Sequence, residues 1–268
     1  MVELLTYAPI QRGFLVLIAA GFAFPIVGTY LLRMNLLPLR FMLMHGALLG
    51  GAMALALKFN PLLTVFAVNL LLVFVMSHTA RSMNTDPGQI SAFLMVCSIS
   101  LAFIFIYRFQ VPAKDTLSLL WGSLFTITPG ELVLVWVFSV CLIGFHLRFH
   151  RQLLAIFFDR EIAWSSGVNE QALSNVVILL TAVTVAMAMK LIGALLVDAL
   201  LLLPAIIASF FAKSMQGLIV SACLLGGSFC LGGFFLSLAV DVPVISAVAI
   251  LATGTFFIIW CTKKRRIP

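Results

Sequence analysis

Charged side chains are scarce in this chain. Asp, Glu, Lys and Arg make up 9% of the 268 residues, whereas soluble domains carry about 25%. Hydrophobic residues make up 63%, and the mean hydropathy is +1.20. A soluble globular fold is excluded, because too few polar side chains are present to cover a surface in contact with water. The composition therefore predicts a membrane protein.

The sequence also lacks the short motifs of common catalytic and nucleotide-binding sites. It has no G-x-x-x-x-G-K-[ST] phosphate loop, no H-E-x-x-H and no G-x-S-x-G. Its five cysteines form no C-x-x-C pair, which argues against a disulfide framework or a zinc knuckle. We therefore predict a chain that is not an enzyme by itself and binds no cofactor tightly.

Apolar runs long enough to cross a bilayer fill most of the chain. A spanning helix needs about 20 apolar residues, since every backbone polar group must be bonded within the segment. Two of the nine candidate runs leave alternatives open. The run 41–57 is short and rich in glycine, so it can be a re-entrant segment. The run 193–211 follows its neighbour so closely that it can dip into the membrane without spanning it. We predict an all-α polytopic protein with about 8–9 transmembrane helices, at roughly 13–33, 41–57, 61–80, 90–110, 130–147, 171–191, 193–211, 215–239 and 242–262.

The net charge of +7 is explained by membrane topology. Cytoplasmic loops hold the excess of Lys and Arg. With the basic tail 263–266 inside and nine crossings, only five of the sixteen basic residues fall outside, namely Arg12, Lys58, Arg108, Lys114 and Lys190. The basic residues are scattered and form no stripe, so no nucleic-acid partner is predicted. The N-terminus has Glu3 and no basic start, so no cleaved signal peptide is expected.

One long polar segment, 148–170, interrupts the apolar runs. It reads RFHRQLLAIFFDREIAWSSGVNE, and the charge count places it in the cytoplasm. A short amphipathic helix is predicted there, with Phe157 and Phe158 on one side and Asp159, Arg160 and Glu161 on the other. Such a helix can seat in a groove of a partner protein. We interpret the segment as a docking surface for a soluble partner.

Two ionisable residues, His45 and Asp198, lie within the apolar runs. A charge at bilayer depth costs at least about 2.5 kcal/mol, so each is a functional hypothesis by default. Imidazole and carboxylate are both ligands for divalent first-row metals. The alternatives are that His45 bonds a neighbouring helix and that Asp198 pairs inside the bundle. His146 and His150 lie near a predicted helix end, where an imidazole needs no special role.

Five segments, in order along the chain, form a recognisable pattern. They are MHGALLGGAMALALKFNPLL at 44–63, DTLSLLWGSLFTITPGEL at 115–132, FFDREIAWSSGVN at 157–169, AMKLIGALLVDALLLLPAIIASFFA at 188–212 and DVPVISAVAIL at 241–251. Together they resemble the membrane permeases of the zinc and manganese (ABC-3 type) ABC importer family, the group that contains the bacterial high-affinity zinc uptake permease. The segment at 188–212 is the most specific, since it is close to the family pattern V-G-A-L-L-x-x-A-L-L-x-x-P-A-x-x-A.

The resemblance implies a type II ABC importer permease-like fold, as a single transmembrane domain over 1–268, in the bacterial cytoplasmic membrane. It implies a second permease copy, two cytoplasmic ATP-binding subunits and an extracytoplasmic metal-binding protein as partners, besides membrane lipid. The implied cargo is a divalent metal, zinc before manganese or iron, with ATP bound only by the partner subunits. The segment 159–168 resembles the family's coupling helix, and we assign coupling to Phe158, Asp159, Arg160, Glu161 and Gly167.

The sequence departs from the family at its acidic positions. Phe41 stands where an acid precedes His45 by one helical turn, and Ser123 replaces a second acid. Asp198 occupies a position where the family has a small or hydroxyl residue. One interpretation is that His45 and Asp198 together contact the metal in the path. The alternatives are a changed cargo such as a metal chelate, loss of metal contact, a carrier that works without ATP, and a scaffold that transports nothing.

Overall fold

The computed structural model describes residues 7–112 and 124–264. Within these ranges the regular structure is entirely helical, with ten α-helices and one short 3-10 turn. The all-α prediction is therefore confirmed. The helices are α1 (Ala8–Arg33), α2 (Leu37–Leu57), α3 (Pro61–Ser82), α4 (Pro87–Arg108), α5 (Pro129–Phe158), α6 (Arg160–Ser165), α7 (Glu170–Ile192), α8 (Ala194–Ser209), α9 (Met215–Val240) and α10 (Val244–Lys264), and the 3-10 turn is Leu124–Thr126.

Eight of these described helices are long and apolar enough to cross a membrane. α2, with 21 residues, is one of them. The predicted crossing at 193–211 is different, because α8 has only 16 residues. At about 1.5 Å per residue it is shorter than the hydrocarbon core of about 30 Å. The predicted orientation depends on nine crossings, and 193–211 is one of them. The cytoplasmic placement of 148–170 therefore stays a prediction.

Helix ends follow the local sequence. Asn60, Asn169 and Ser214 precede α3, α7 and α9, and each side-chain oxygen accepts a hydrogen bond from a backbone N–H in the first turn. These caps satisfy donors that have no partner inside the helix. α7 ends at Gly193, whose φ of +84° is in the region that favours glycine. This residue makes the tight break that separates α7 from α8.

The described chain divides into two compact units. Unit 1 comprises Met1–Leu32, Leu124–Leu154 and Leu195–Pro268, and unit 2 comprises Arg33–Ser123 and Ala155–Ala194. Unit 1 thus contains α1, most of α5, and α8 to α10, whereas unit 2 is built from α2, α3, α4, α6 and α7. The single transmembrane domain predicted over 1–268 stays a prediction.

Within unit 1, α1 and α9 cross so closely that the backbone of one helix contacts the backbone of the other. Pro25 cannot donate to the carbonyl of Gly21, one turn earlier in α1. That freed carbonyl faces Gly226 of α9, where an added Cβ would collide with it and would lie 2.6 Å from the Pro25 ring. Cys230, one turn further along α9, lies against Gly21. Small residues on both helices therefore allow the close crossing that membrane helices use in place of a hydrophobic driving force.

Within unit 2, α2 packs against α3, α4 and α7. Leu48, Leu49 and Ala52 of α2 form a buried cluster with Val68 of α3 and Ala102 of α4. Gly50 lets α2 approach the α3 backbone, since an added Cβ would lie 2.7 Å from the Cα of Val65. The packing of α2 holds the segment that carries His45 rigidly.

The polar segment 148–170 differs from the prediction. Its first half is helical and continues α5 to Phe158, so that α5 has 30 residues. Phe157 and Phe158 therefore belong to the end of α5, and their predicted place on the same short helix as Arg160 and Glu161 is wrong. The short helix itself is α6, six residues long. The sequence did not indicate this continuation because charged residues are accepted in a helix once it has left the hydrocarbon region.

The crossing of α1 over α8 gives a prediction about stability. Gly28 of α1 lies against the backbone of α8, and an added Cβ would overlap the carbonyl oxygen of Leu201. Because backbone cannot move aside as a side chain can, we expect Gly28→Ala to destabilise the protein by roughly 1–3 kcal/mol, the range for overpacking. The measurement is the thermal midpoint of the purified protein in detergent.

Gly254→Ala is the matched control, because Gly254 lies in α10 with nothing within 4 Å of an added Cβ. We expect that control to be unchanged or more stable by up to about 1 kcal/mol, since Ala is the better helix former. Equal midpoints for Gly28→Ala and the unsubstituted protein would contradict the close crossing.

Candidate functional site

His45 lies in α2, and its ring is held by the backbone of its own helix. The Nδ1 atom is 2.8 Å from the carbonyl oxygen of Phe41, one turn earlier. A carbonyl can only accept, so Nδ1–H is the donor and Nε2 of the neutral ring keeps its lone pair. A hydrogen bond of this kind fixes the tautomer of many metal-binding histidines. His45 is partly exposed, so Nε2 is available to a ligand.

A buried amide lies next to this position. Asn69 of α3 is 1% exposed, and its Oδ1 would lie 2.5 Å from a Cβ added to Gly46. Neither polar atom of the Asn69 side chain has a hydrogen-bond partner in the described part of the chain. Sequence reasoning missed this residue. The available signal was an Asn in the middle of the apolar run of α3.

Asp198 lies in α8 and is half-buried. It belongs to unit 1, whereas His45 belongs to unit 2. Each is therefore described in its own unit, and a shared metal contact between them stays a prediction. Within residues 7–112 and 124–264, no three His, Cys, Asp or Glu side chains gather closely enough to hold a metal ion.

Only one of the two positions where the sequence departs from the family's acidic residues is described by the structure. Phe41 lies one turn before His45 in α2, with 40% of its side chain exposed. An apolar residue therefore stands one helical turn before the imidazole, at the position where the resemblance implies a carboxylate. Ser123, the second departure, lies outside the described residues.

The predicted coupling residues lie where α5 gives way to α6. Phe158 ends α5 with 83% of its side chain exposed, and the carbonyl of Asp159 accepts from the N–H of Ala163, 3.0 Å away. Arg160 and Glu161 are the first two residues of α6. Gly167 then turns the chain with φ +76°, and no atom lies within 4 Å of the place a Cβ would take. Their assignment to coupling stays a prediction.

An exposed tryptophan adds to this surface. Trp164 of α6 is 77% exposed, although it stands in a polar stretch where no lipid contact is predicted. Phe158 is likewise strongly exposed, and exposed aromatic residues of this kind often mark protein contacts. Sequence reasoning named Phe158 but missed Trp164. We call Phe158, Asp159, Trp164 and Gly167 the α6 surface.

Unit 1 also contains a polar chain that crosses three helices. The hydroxyl oxygen of Tyr30 in α1 lies 2.9 Å from Nδ1 of His146 in α5. The His146 and His150 ring centroids are 5.2 Å apart, and Nε2 of Gln216 in α9 lies 2.6 Å from Nε2 of His150. Sequence reasoning assigned these histidines no role because it ended the helix at 147, whereas α5 continues to Phe158.

Comparison with known proteins relates this geometry to a family. The sequence matches the ABC 3 transport family over residues 6–263. It is 27% identical over 229 residues to the high-affinity zinc uptake system membrane protein ZnuB of Haemophilus influenzae, covering 84% of this chain and 86% of that protein. It is 22% identical over 214 residues to ZnuB of Buchnera aphidicola, covering 79% and 81%.

Solved structures show the same fold. The match to PsaBC from Streptococcus pneumoniae, solved in complex with Fab, has a TM-score of 0.82 at 19% identity, covering 97% of this chain and 94% of that chain. An inward-facing ABC transporter described as of metal-chelate type matches with a TM-score of 0.76 at 19% identity, covering 94% and 85%. At these identities the likeness establishes the fold alone.

The described part of the chain has eight apolar helices of spanning length, and the relatives are named as membrane proteins of metal uptake systems. Together these findings identify a multi-pass protein of the cytoplasmic membrane. The family match extends over nearly its whole length. The resemblance seen in the sequence is thereby confirmed: this chain belongs to the ABC 3 transport family, whose members are membrane subunits of ABC transporters.

Proposed function

We propose that this chain is the permease of an ATP-driven importer that moves a divalent transition metal inward across the cytoplasmic membrane, with zinc as the first candidate and manganese or iron next. The oriented imidazole of His45 carries the proposal, because its Nδ1 bond to Phe41 leaves Nε2 as a neutral nitrogen ligand. Imidazole suits zinc better than it suits magnesium or calcium. The zinc uptake proteins among the relatives support the same cargo.

A weak, exchangeable contact is what a transport path requires. Cargo must bind favourably enough to enter and loosely enough to leave. One imidazole from His45, with water completing the coordination, meets that condition better than a closed four-ligand site. A carboxylate from Asp198 would offset part of the cost of a divalent charge in a low-dielectric path.

Energy would come from partner subunits, since this sequence contains no phosphate loop. The α6 surface offers them a place to dock, because Phe158 at the end of α5 and Trp164 in α6 are strongly exposed aromatic residues. A paired ATPase has two docking sites, so we propose a second permease copy as well. An extracytoplasmic metal-binding protein would deliver the cargo.

A metal chelate is the second candidate cargo. Phe41 lies one helical turn before His45 and exposes 40% of its side chain. An exposed apolar side chain at this position suits an organic ligand around the metal better than it suits a hydrated ion. One of the solved structures of this fold is of a metal-chelate type transporter. Inhibition of uptake by free metal, compared with inhibition by the same metal held in a chelate, separates the two cargoes.

Loss of the proposed path groups should depress metal uptake. We expect His45→Ala and Asp198→Ala each to lower zinc uptake at least about tenfold, the lower end of the effect seen when groups supporting a metal site are removed. Manganese uptake should fall as well. The measurement is uptake into proteoliposomes that contain the permease, its ATPase and its binding protein.

His78→Ala is the control for a general effect of losing a histidine, because His78 is exposed on α3 and stacks on Phe74. Assembly with the ATPase should be unchanged in all three variants. Full zinc and manganese transport by the double variant of His45 and Asp198 would remove both residues from the path and favour the chelate.

The α6 surface should couple hydrolysis to transport. We expect Trp164→Ala to reduce uptake severalfold or more while the complex keeps part of its ATPase activity, since truncating a central aromatic anchor costs about 2 kcal/mol or more. Glu161→Arg, which reverses a charge of α6, should have the same effect. The measurement is the ratio of metal transported to ATP hydrolysed.

Tyr107→Ala is the matched control, because Tyr107 is an aromatic residue 88% exposed at the end of α4. Its ratio of transport to hydrolysis should equal that of the unsubstituted complex. If both α6 variants transported at the full rate, the α6 surface would have no part in coupling.

A further inference from the structure

Two histidines of α5, His146 and His150, share one cavity in unit 1. They are four residues apart, so both lie on one face of the helix, and their ring centroids are 5.2 Å apart. The cavity has a volume of about 530 Å³, and both side chains line it. Two histidines at this spacing on one helix are a known arrangement for binding a transition metal through two imidazoles.

Each ring is oriented by a residue from another helix. The Tyr30 hydroxyl holds Nδ1 of His146 at 2.9 Å, and the Gln216 amide holds Nε2 of His150 at 2.6 Å. Within the described residues, the remaining nitrogen of each ring, Nε2 of His146 and Nδ1 of His150, makes no hydrogen bond. Each imidazole therefore has one nitrogen fixed by a neighbour and one left available.

The fixed nitrogens can both be the protonated ones. The Tyr30 oxygen can accept from Nδ1–H of His146. The oxygen and nitrogen of the Gln216 amide exchange places by a half-turn, so its Oε1 can accept from Nε2–H of His150. Both available nitrogens then carry lone pairs. Metal-binding histidines show this pattern, with the outer nitrogen donating to a neighbour that sets the tautomer and the ring orientation.

We propose that His146 and His150 form a second binding site for a divalent transition metal, zinc by preference, with Tyr30 and Gln216 as positioning residues. Imidazole nitrogen selects zinc over magnesium or calcium, which prefer oxygen ligands. Water molecules complete the coordination, because the described residues gather no third His, Cys, Asp or Glu ligand. Two protein ligands make a weak site from which the metal exchanges readily.

The site lies near the end of α5 that leads into α6. Eight residues separate His150 from Phe158 along this helix, or about 12 Å at 1.5 Å per residue. In the proposed orientation, this end of α5 is the cytoplasmic one. This second site rests on the proposed metal transport by the same chain, but its test measures zinc binding alone. The second site can therefore fail to bind zinc while transport through His45 operates. It can also bind zinc while transport through His45 fails.

The test is zinc binding to the full-length permease, purified in detergent with an affinity tag that contains no histidine. His45→Ala and Asp198→Ala are introduced first, so that the proposed path contributes nothing. Zinc is titrated in competition with a chromophoric chelator, and Co²⁺ serves as the absorbing probe. We expect this background protein to bind one zinc per chain, and Co²⁺ to give the visible absorption of a bound ion.

Further substitutions in that background distinguish metal binding from a purely structural role. His150→Ala should weaken zinc binding at least tenfold, and folding should tolerate it because His150 is only half-buried near the helix end. Tyr30→Phe keeps the ring and its packing and removes only the hydroxyl, so we expect binding that is weaker by about 10-fold, the lower end of the effect of an outer-shell partner. His78→Ala should leave the affinity unchanged.

The proposal is overturned if the background protein binds no zinc, or if His150→Ala binds it as tightly as the background does. Equal affinity in Tyr30→Phe would overturn the positioning role of the hydroxyl. Equal weakening by His78→Ala would show binding at scattered surface histidines and would also overturn the site.

Discussion

The structure depends on one constraint, which is that backbone N–H and C=O groups have no water to bond in hydrocarbon. Helices satisfy these groups internally, and the described chain is accordingly helical throughout its regular structure. Wherever a proline removes a donor, the freed carbonyl must meet something else. Pro25 frees the carbonyl of Gly21, and the carbonyl packs against Gly226 of α9. The freed carbonyl therefore lies at the crossing of α1 and α9.

Polar side chains in the hydrocarbon region also have no water to bond. A polar group at bilayer depth must be satisfied by a neighbour or be used. Three histidines, His45, His146 and His150, have one ring nitrogen hydrogen-bonded, and the other nitrogen makes no hydrogen bond within the described residues. His45 uses the carbonyl of its own helix, whereas His146 and His150 use side chains from α1 and α9. Fixing a ring in this way makes it a better-defined ligand than a freely rotating one.

Much of the fold could be predicted from the sequence, because spanning length and apolar composition are properties of a segment by itself. Eight of the nine predicted runs correspond to helices of spanning length. The exception, 193–211, has the right composition, but its helix α8 has only 16 residues. The break before it at Gly193 was indicated by the spacing of the two runs. Apolar composition marks the extent of a run and does not show how many of its residues are helical. The end of α5 was missed for a related reason, since hydropathy marks where the hydrocarbon ends and not where the helix ends.

The candidate site was less accessible to sequence reasoning. Isolated ionisable residues such as His45 and Asp198 stand out in an apolar run, so they could be named. The His45 ring is oriented within its own helix, whereas the contact that orients His146 comes from Tyr30, in a helix far away in the chain. The exposure of Trp164 likewise depends on where α5 ends and α6 begins. Family resemblance supplied the transport function, and the family match then confirmed the membership.

The central claim is that this chain moves a divalent metal inward when a partner hydrolyses ATP. The most direct measurement is uptake of radioactive zinc by proteoliposomes that contain the unsubstituted permease with its ATPase and binding protein. Uptake with ATP is compared with uptake with a non-hydrolysable analogue. The account predicts zinc accumulation that requires hydrolysis and is competed by manganese. Zinc accumulation that is equal with and without hydrolysis, or no transport of any free divalent metal, would contradict it.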